Sequence, residues 1–179
     1  MLFRSINLVP EFLDILASTN REAAYQRYLE RHRAVLQAYW SNYVLDLEDH
    51  HADGVIAAAL RADRSDLKAM LQQSRISELA EAAIARATEL LQIDQPTDVY
   101  LMVGVGGANA GELVVNGRGV AFICIEHFTG KVNPTTFGLG LAPELIPLWV
   151  GHELAHTVRY TSPTSRSELK ALEIGRAHV

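Results

Sequence analysis

The chain has 179 residues, 49% of them hydrophobic, and a formal net charge of −5. This suits one domain or one and a half with a real core, and the acidic balance argues against a nucleic-acid-binding surface. No apolar run is long enough to span a bilayer and no signal-peptide pattern opens the chain, so a cytoplasmic protein away from the membrane is expected.

The two ends look foreign. Met1 to Ser5 can be encoded GTG CTC TTC CGA TCT. The opposite strand, read one frame over, encodes Glu-Ile-Gly-Arg-Ala-His, and the chain closes on Glu173-Ile174-Gly175-Arg176-Ala177-His178-Val179. Residues 1–5 and 173–179 are therefore expected to be translated adapter and kept out of fold reasoning. The remaining segment, 6–172, is expected to be open at both ends.

Asn7 to Ala17 reads as a short helix with Pro10 in its first turn, where a missing N–H costs little. Thr19-Asn20-Arg21-Glu22 has the capping-box form. It opens a long helix with Tyr25, Tyr28, Leu29, His32, Leu36, Tyr39, Trp40 and Tyr43 on helical spacing. That aromatic stripe reads as core, and His32 as a hydrogen-bonded packing residue. Asp46 to Asp53 (DLEDHHAD) gathers carboxylates and two adjacent histidines. Neighbours at i and i+1 point to different helix faces, so the segment is read as a loop and helix start rather than a metal site. Short helices are expected at Val55 to Leu60 and Asp63 to Leu71. Ile76 to Leu91 carries a clean amphipathic stripe that ends before Pro96.

At Pro96 the pattern changes from period 3.6 to β-formers. Asp98 to Val103 reads as a buried strand. Gly104 to Gly111 (GVGGANAG) lacks GK[ST] and the G-x-G-x-x-G spacing, so its glycines are read as tight turns or close backbone approach. Glu112 to Val115, Asn116-Gly117 and Val120 to Ile125 form an expected hairpin. Glu126 and His127 close its second strand, and His127 is read as capping the strand end rather than facing a cleft. Cys124, the single cysteine, is read as a reduced core residue. Thr129 to Leu141 is a loop. Pro143 starts the next helix, with a bend or restart at Pro147. That helix is expected to stop near Thr161-Ser162-Pro163, and Ser165 to Glu168 to cap a last one.

The helix after Pro143 contains LWVGHELAHTVRY, Leu148 to Tyr160. Residues four apart on a helix lie on one face, so His152 and His156 can offer two imidazole nitrogens to one zinc ion. Glu153 lies about 100° further round, within reach of a water at that ion, and is the candidate general base. The flanks are apolar, so the segment reads as a buried helix whose titratable residues call for a partner. The alternative is a helix whose His and Glu face solvent or satisfy each other.

From Asp98 onward, LMVGVGGANAG, the hairpin VVNGRGVAFICIEHF and WVGHELAHTVRY resemble the upper half of a gluzincin-type zinc metallopeptidase. The likeness is to a bacterial branch of predicted zinc-dependent proteases. The resemblance implies a sheet beside the active-site helix, with an edge strand along which an extended peptide docks by β-addition. It implies that His152 and His156 bind zinc and that Glu153 is the base. In such enzymes the third ligand is a glutamate from a later helix, in this branch often followed by glycine. No Glu-Gly pair follows His156, and Arg159 and Ser162 occupy the Gly and His positions of the H-x-x-G-x-x-H extension. Glu168 is the nearby carboxylate, already explained by its capping place.

The expected fold is α+β, mostly helical, with a small sheet or hairpin beside the HExxH helix. It divides into a helical region, 6–95, and an incomplete zincin-like region, 96–172. The expected function is zinc-dependent hydrolysis of a peptide or protein substrate, with the third ligand lost beyond residue 172 and this chain itself inactive. The alternatives are a metal-dependent hydrolase of a non-peptide substrate and an inactive binding or regulatory domain.

Overall fold

A computed structural model describes residues 3–93, 95–133, 136 and 138–161. The fold is α+β and mostly helical, with one small mixed sheet, as expected. The expected last helix at Ser165, and Glu168 within it, lie outside the described residues.

Strand β1 (Phe3–Asn7) leads into α1 (Val9–Ala17), α2 (Arg21–Arg31), α3 (Arg33–Tyr43), α4 (Ala52–Arg61), α5 (Ser65–Gln73) and α6 (Ile76–Leu91). Strands β2 (Thr97–Met102), β3 (Ala110–Val115) and β4 (Arg118–Cys124) follow, then α7 (Ile146–Thr161). The sheet order is β1-β2-β4-β3, with β1 and β4 parallel to β2 and β3 antiparallel to β4. Helices α1 and α3 contact the sheet from the N-terminal region, and α7 packs on β4 and β3 with α6 alongside.

Three local results refine the sequence reading. Phe3 to Ser5, set aside on sequence grounds, are the first residues of β1, paired with Thr97 to Val99. Arg4 and Arg118 both grip the buried carboxylate of Asp98, tying three strands together. Burial alone would raise the Asp98 carboxyl, but the two guanidiniums outweigh it and hold it below its ordinary range. The long helix from Arg21 to Tyr43 is broken at His32, where φ is −110° and ψ is 24°. His32 Nε2 stands 2.8 Å from Glu11 Oε2, so it is a hydrogen-bonded packing residue. The cap of α2 is Asn20, whose side chain accepts the Ala23 N–H at 3.0 Å, rather than Thr19.

The aromatic stripe is core. Tyr25, Tyr28, Tyr39 and Trp40 are all buried. Tyr39 and Tyr43 both meet Phe122 of β4 edge-on, at 5.1 and 4.9 Å between ring centres. Edge-to-face pairs of this kind add about 0.5–1.5 kcal/mol each beyond the area they bury. The β3–β4 turn has Asn116 at φ 51° and Gly117 at φ 76°, the two left-handed positions of a type I′ hairpin. Gly104 allows the expected close approach: a Cβ there would sit 2.9 Å from Cys124 Sγ and from Glu126 Oε1. Among the described residues no helix is long and apolar enough to cross a membrane.

Candidate functional site

Helix α7 follows a one-turn 3-10 segment at Pro143–Leu145, so the chain restarts as an α-helix at Ile146 with Pro147 in its first turn. Its inner ridge is Ile146, Val150, Leu154, Thr157 and Thr161, all buried. Gly119 of β4 makes the close packing possible. A Cβ there would stand 3.1 Å from Thr157 Cβ and 3.3 Å from Thr161 Cγ2.

The periodicity that buries this ridge puts His152 and His156 on the accessible side, His152 exposed and His156 half-buried. Their Nε2 atoms are 3.1 Å apart. Two nitrogens of a tetrahedral zinc ion, each at about 2.0–2.1 Å, would be about 3.3 Å apart, so the pair is spaced as two ligands of one ion. The donor set, two imidazoles, suits zinc. Trp149 stands edge-on to His152, with ring centres 5.8 Å apart, and Phe128 backs Trp149.

Glu153 faces the sheet and is 4% exposed. Its carboxyl is pushed up to about 7, first by burial, then by the charge of Glu112 and a side-chain hydrogen bond with it. Glu112 is the residue that the hairpin reading passed over. It lies on β3 opposite Ala121, and its Oε1 is 3.8 Å from Nδ1 of His156. Its main chain is held from outside. The Tyr43 hydroxyl donates to the Glu112 carbonyl at 2.9 Å and accepts the Glu112 N–H at 3.2 Å. The sequence signal was weak, a lone carboxylate at a strand position whose face depends on register.

This contact also bears on the edge strand. β3 is the outer strand of the sheet, and Tyr43 occupies both outward main-chain groups of Glu112. A shallow groove lined by Asn42, Tyr43, Glu112, Leu113 and Val114 runs along that edge. A larger cleft lies between α2, α3 and the 46–53 segment and shares no lining residue with α7.

The other titratable residues singled out from the sequence lie apart from this face. β4 ends at Cys124, and Ile125–Phe128 form a 3-10 turn rather than the end of the strand. Glu126 and His127 are buried within it at 3% and 0% exposure, so His127 is a packed core residue and not a cleft residue. Burial pushes the Glu126 carboxyl up to about 7, against the pull of Arg64 and the Gly104 N–H that it accepts at 2.8 Å. Burial pushes His127 down to about 4, against a main-chain hydrogen bond at Thr136. Cys124 is a buried free thiol, pushed well up by burial. Asp49, His50 and His51 bring ligand atoms within 4.8 Å of one another, but all three are exposed. Asp49 spends its carboxylate on the His51 N–H at 2.8 Å, the loop-and-helix-start role expected of it.

No family model matches the chain, and no curated protein or solved structure matches it significantly.

Proposed function

We propose that the chain carries the water-activating half of a zinc-dependent peptide hydrolase, with His152 and His156 as metal ligands and Glu153 as general base. The observation that carries this reading is the 3.1 Å approach of the two Nε2 atoms on the accessible side of α7. When bound there, zinc supplies a Lewis acid for a carbonyl oxygen and acidifies water. His152 and His156 bind and orient it from adjacent turns of a helix whose opposite ridge is locked in the core. Glu153 accepts a proton from the attacking water and returns it to the leaving amine. The sheet side of α7 shields Glu153, which is 4% exposed, beside Glu112. The described residues supply two ligands, and a third protein ligand belongs to residues outside them. The substrate is an extended peptide entering past the open edge of β3 at Val114, which is 51% exposed.

A rival reading has one specific support. A 3.1 Å separation also suits a direct N–H···N hydrogen bond between neutral imidazoles, which would make the pair self-satisfied. Zinc titration of this chain separates the two. Zinc binding that survives Glu153→Gln and is lost when His152 and His156 are replaced by Ala supports the water-activating half-site, and cleavage of a quenched-fluorescent peptide is expected only where a third ligand completes it. Failure to bind zinc at all favours the self-satisfied pair.

A further inference from the structure

The two nitrogens of the His156 ring have different neighbours. Nε2 faces His152 at 3.1 Å, and Nδ1 faces Glu112 at 3.8 Å. The second distance is ion-pair range, longer than the roughly 2.7–3.2 Å of a direct hydrogen bond. Glu112 sits on the face of β3 that α7 covers, opposite the small Ala121, with its main chain clamped by Tyr43. Its side chain is 24% exposed against 37% for His156, so the contact is partly shielded from water.

We infer that Glu112 is a positioning residue for His156. Its negative carboxylate, 3.8 Å from Nδ1, favours the proton on that nitrogen and so biases the ring to the tautomer with Nε2 unprotonated and turned toward His152. This rests on the metal-site reading of the pair. A ligating imidazole ordinarily donates its second N–H to a carboxylate or carbonyl, and losing that partner costs roughly 10–100-fold in metal affinity. Glu112 faces Nδ1 while Nε2 faces His152, so it stands behind the ring rather than beside the two Nε2 atoms. Tyr43 gives the arrangement its rigidity, because it bonds the main chain of Glu112 to α3 within a strand that is paired with β4.

The test uses the whole chain in three forms: wild type, Glu112→Ala and Glu112→Gln, with circular dichroism to check that each folds. Two readings are taken. Ring nitrogen-15 shifts of His156 in the metal-free chain at mildly alkaline pH report the tautomer. Titration with cobalt(II) alone reports affinity and the position of the visible absorption bands. The expected result is a single Nδ1–H tautomer in wild type and a mixture in Glu112→Ala, with His152 unchanged. Cobalt affinity falls roughly 10–100-fold in Glu112→Ala at unchanged band position, and Glu112→Gln, which keeps an acceptor, recovers most of both. Unchanged His156 shifts in Glu112→Ala, with wild type still binding cobalt, would overturn the role of Glu112 and leave the proposed site standing. Displaced bands would overturn it in favour of direct ligation. A wild-type chain that binds no cobalt overturns the inference and the metal site together.

Discussion

Two Glu–His neighbourhoods invite comparison, Glu126 with His127 and Glu153 with His152 and His156, and they differ in almost everything except the acidity of the glutamate. Glu126 and His127 lie in the turn after β4, both buried, beside Arg64 and under the Gly104 N–H. Glu153 lies on α7 between two histidines that reach solvent, and the charged group that acts on its carboxyl is another carboxylate, Glu112. Both carboxyls are pushed up to about 7. Burial is the first cause in each, so a displaced carboxyl does not by itself mark a site. What separates the two is access and convergence. The α7 group presents two imidazole nitrogens outward, while the β4 group closes its polar atoms into the core.

The contrast is broken most severely through the buried group. The folded chain keeps a proton on Glu126 up to about pH 7, whereas the unfolded chain releases it near 4.5. Stability therefore falls as pH rises through that window and levels off above it, by up to about 3 kcal/mol from this residue. Glu126→Gln keeps an acceptor for the Gly104 N–H and removes the titration, so the wild-type minus Glu126→Gln difference in urea-unfolding stability is expected to fall between about pH 4.5 and 7. Glu153, whose contribution falls over the same window, and His127, whose lowered pKa makes stability rise toward pH 6.5, are common to both chains and cancel in that difference.

Next in size is the opposite pair of substitutions. His156→Ala is expected to lower zinc affinity by on the order of 100-fold or more, beyond the cost of losing an outer partner, with stability changed by no more than about 0.5 kcal/mol. His127→Leu is expected to leave zinc affinity alone and cost about 1–3 kcal/mol, because it strips a buried polar group from its main-chain partner. Calorimetric zinc titration and thermal unfolding of both variants check the crossing of effects.

Tyr43→Phe sharpens the account of the open side. It removes both main-chain hydrogen bonds to Glu112, and water at the strand edge replaces part of them, so about 1 kcal/mol of stability is expected to go. Faster amide exchange at Glu112 is the direct readout. Smallest of all is His51→Ala. The Asp49-His50-His51 cluster is exposed, and the substitution is expected to change neither zinc affinity nor stability measurably.

Much of this was legible beforehand where the signal was local. The amphipathic stripe of α6 and the Asn116-Gly117 turn each depend on a few neighbouring residues, and each appears as read; the four-residue spacing of His152 and His156 likewise puts both rings on one helix face. The break at His32 was not legible, because no Gly or Pro marks it and the apolar spacing runs through it. β1 is missed because residues 1–5 are set aside as adapter, and FRSIN is short with a parallel partner about ninety residues further along. Glu112 escaped for a related reason. Its meaning comes from α7 lying across β3, a tertiary contact that strand alternation alone does not announce. His127 shows the converse, since a histidine at a strand end reads the same whether the next layer covers it or leaves it open.

The most direct measurement is zinc X-ray absorption on the zinc-loaded chain, compared with the His152→Ala, His156→Ala double variant. The account predicts imidazole nitrogens in the first shell at about 2.0–2.1 Å and the loss of that shell in the double variant. An unchanged spectrum in the double variant would place the ion elsewhere, as at Asp49, His50 and His51, and would contradict the assignment of α7 as the metal helix.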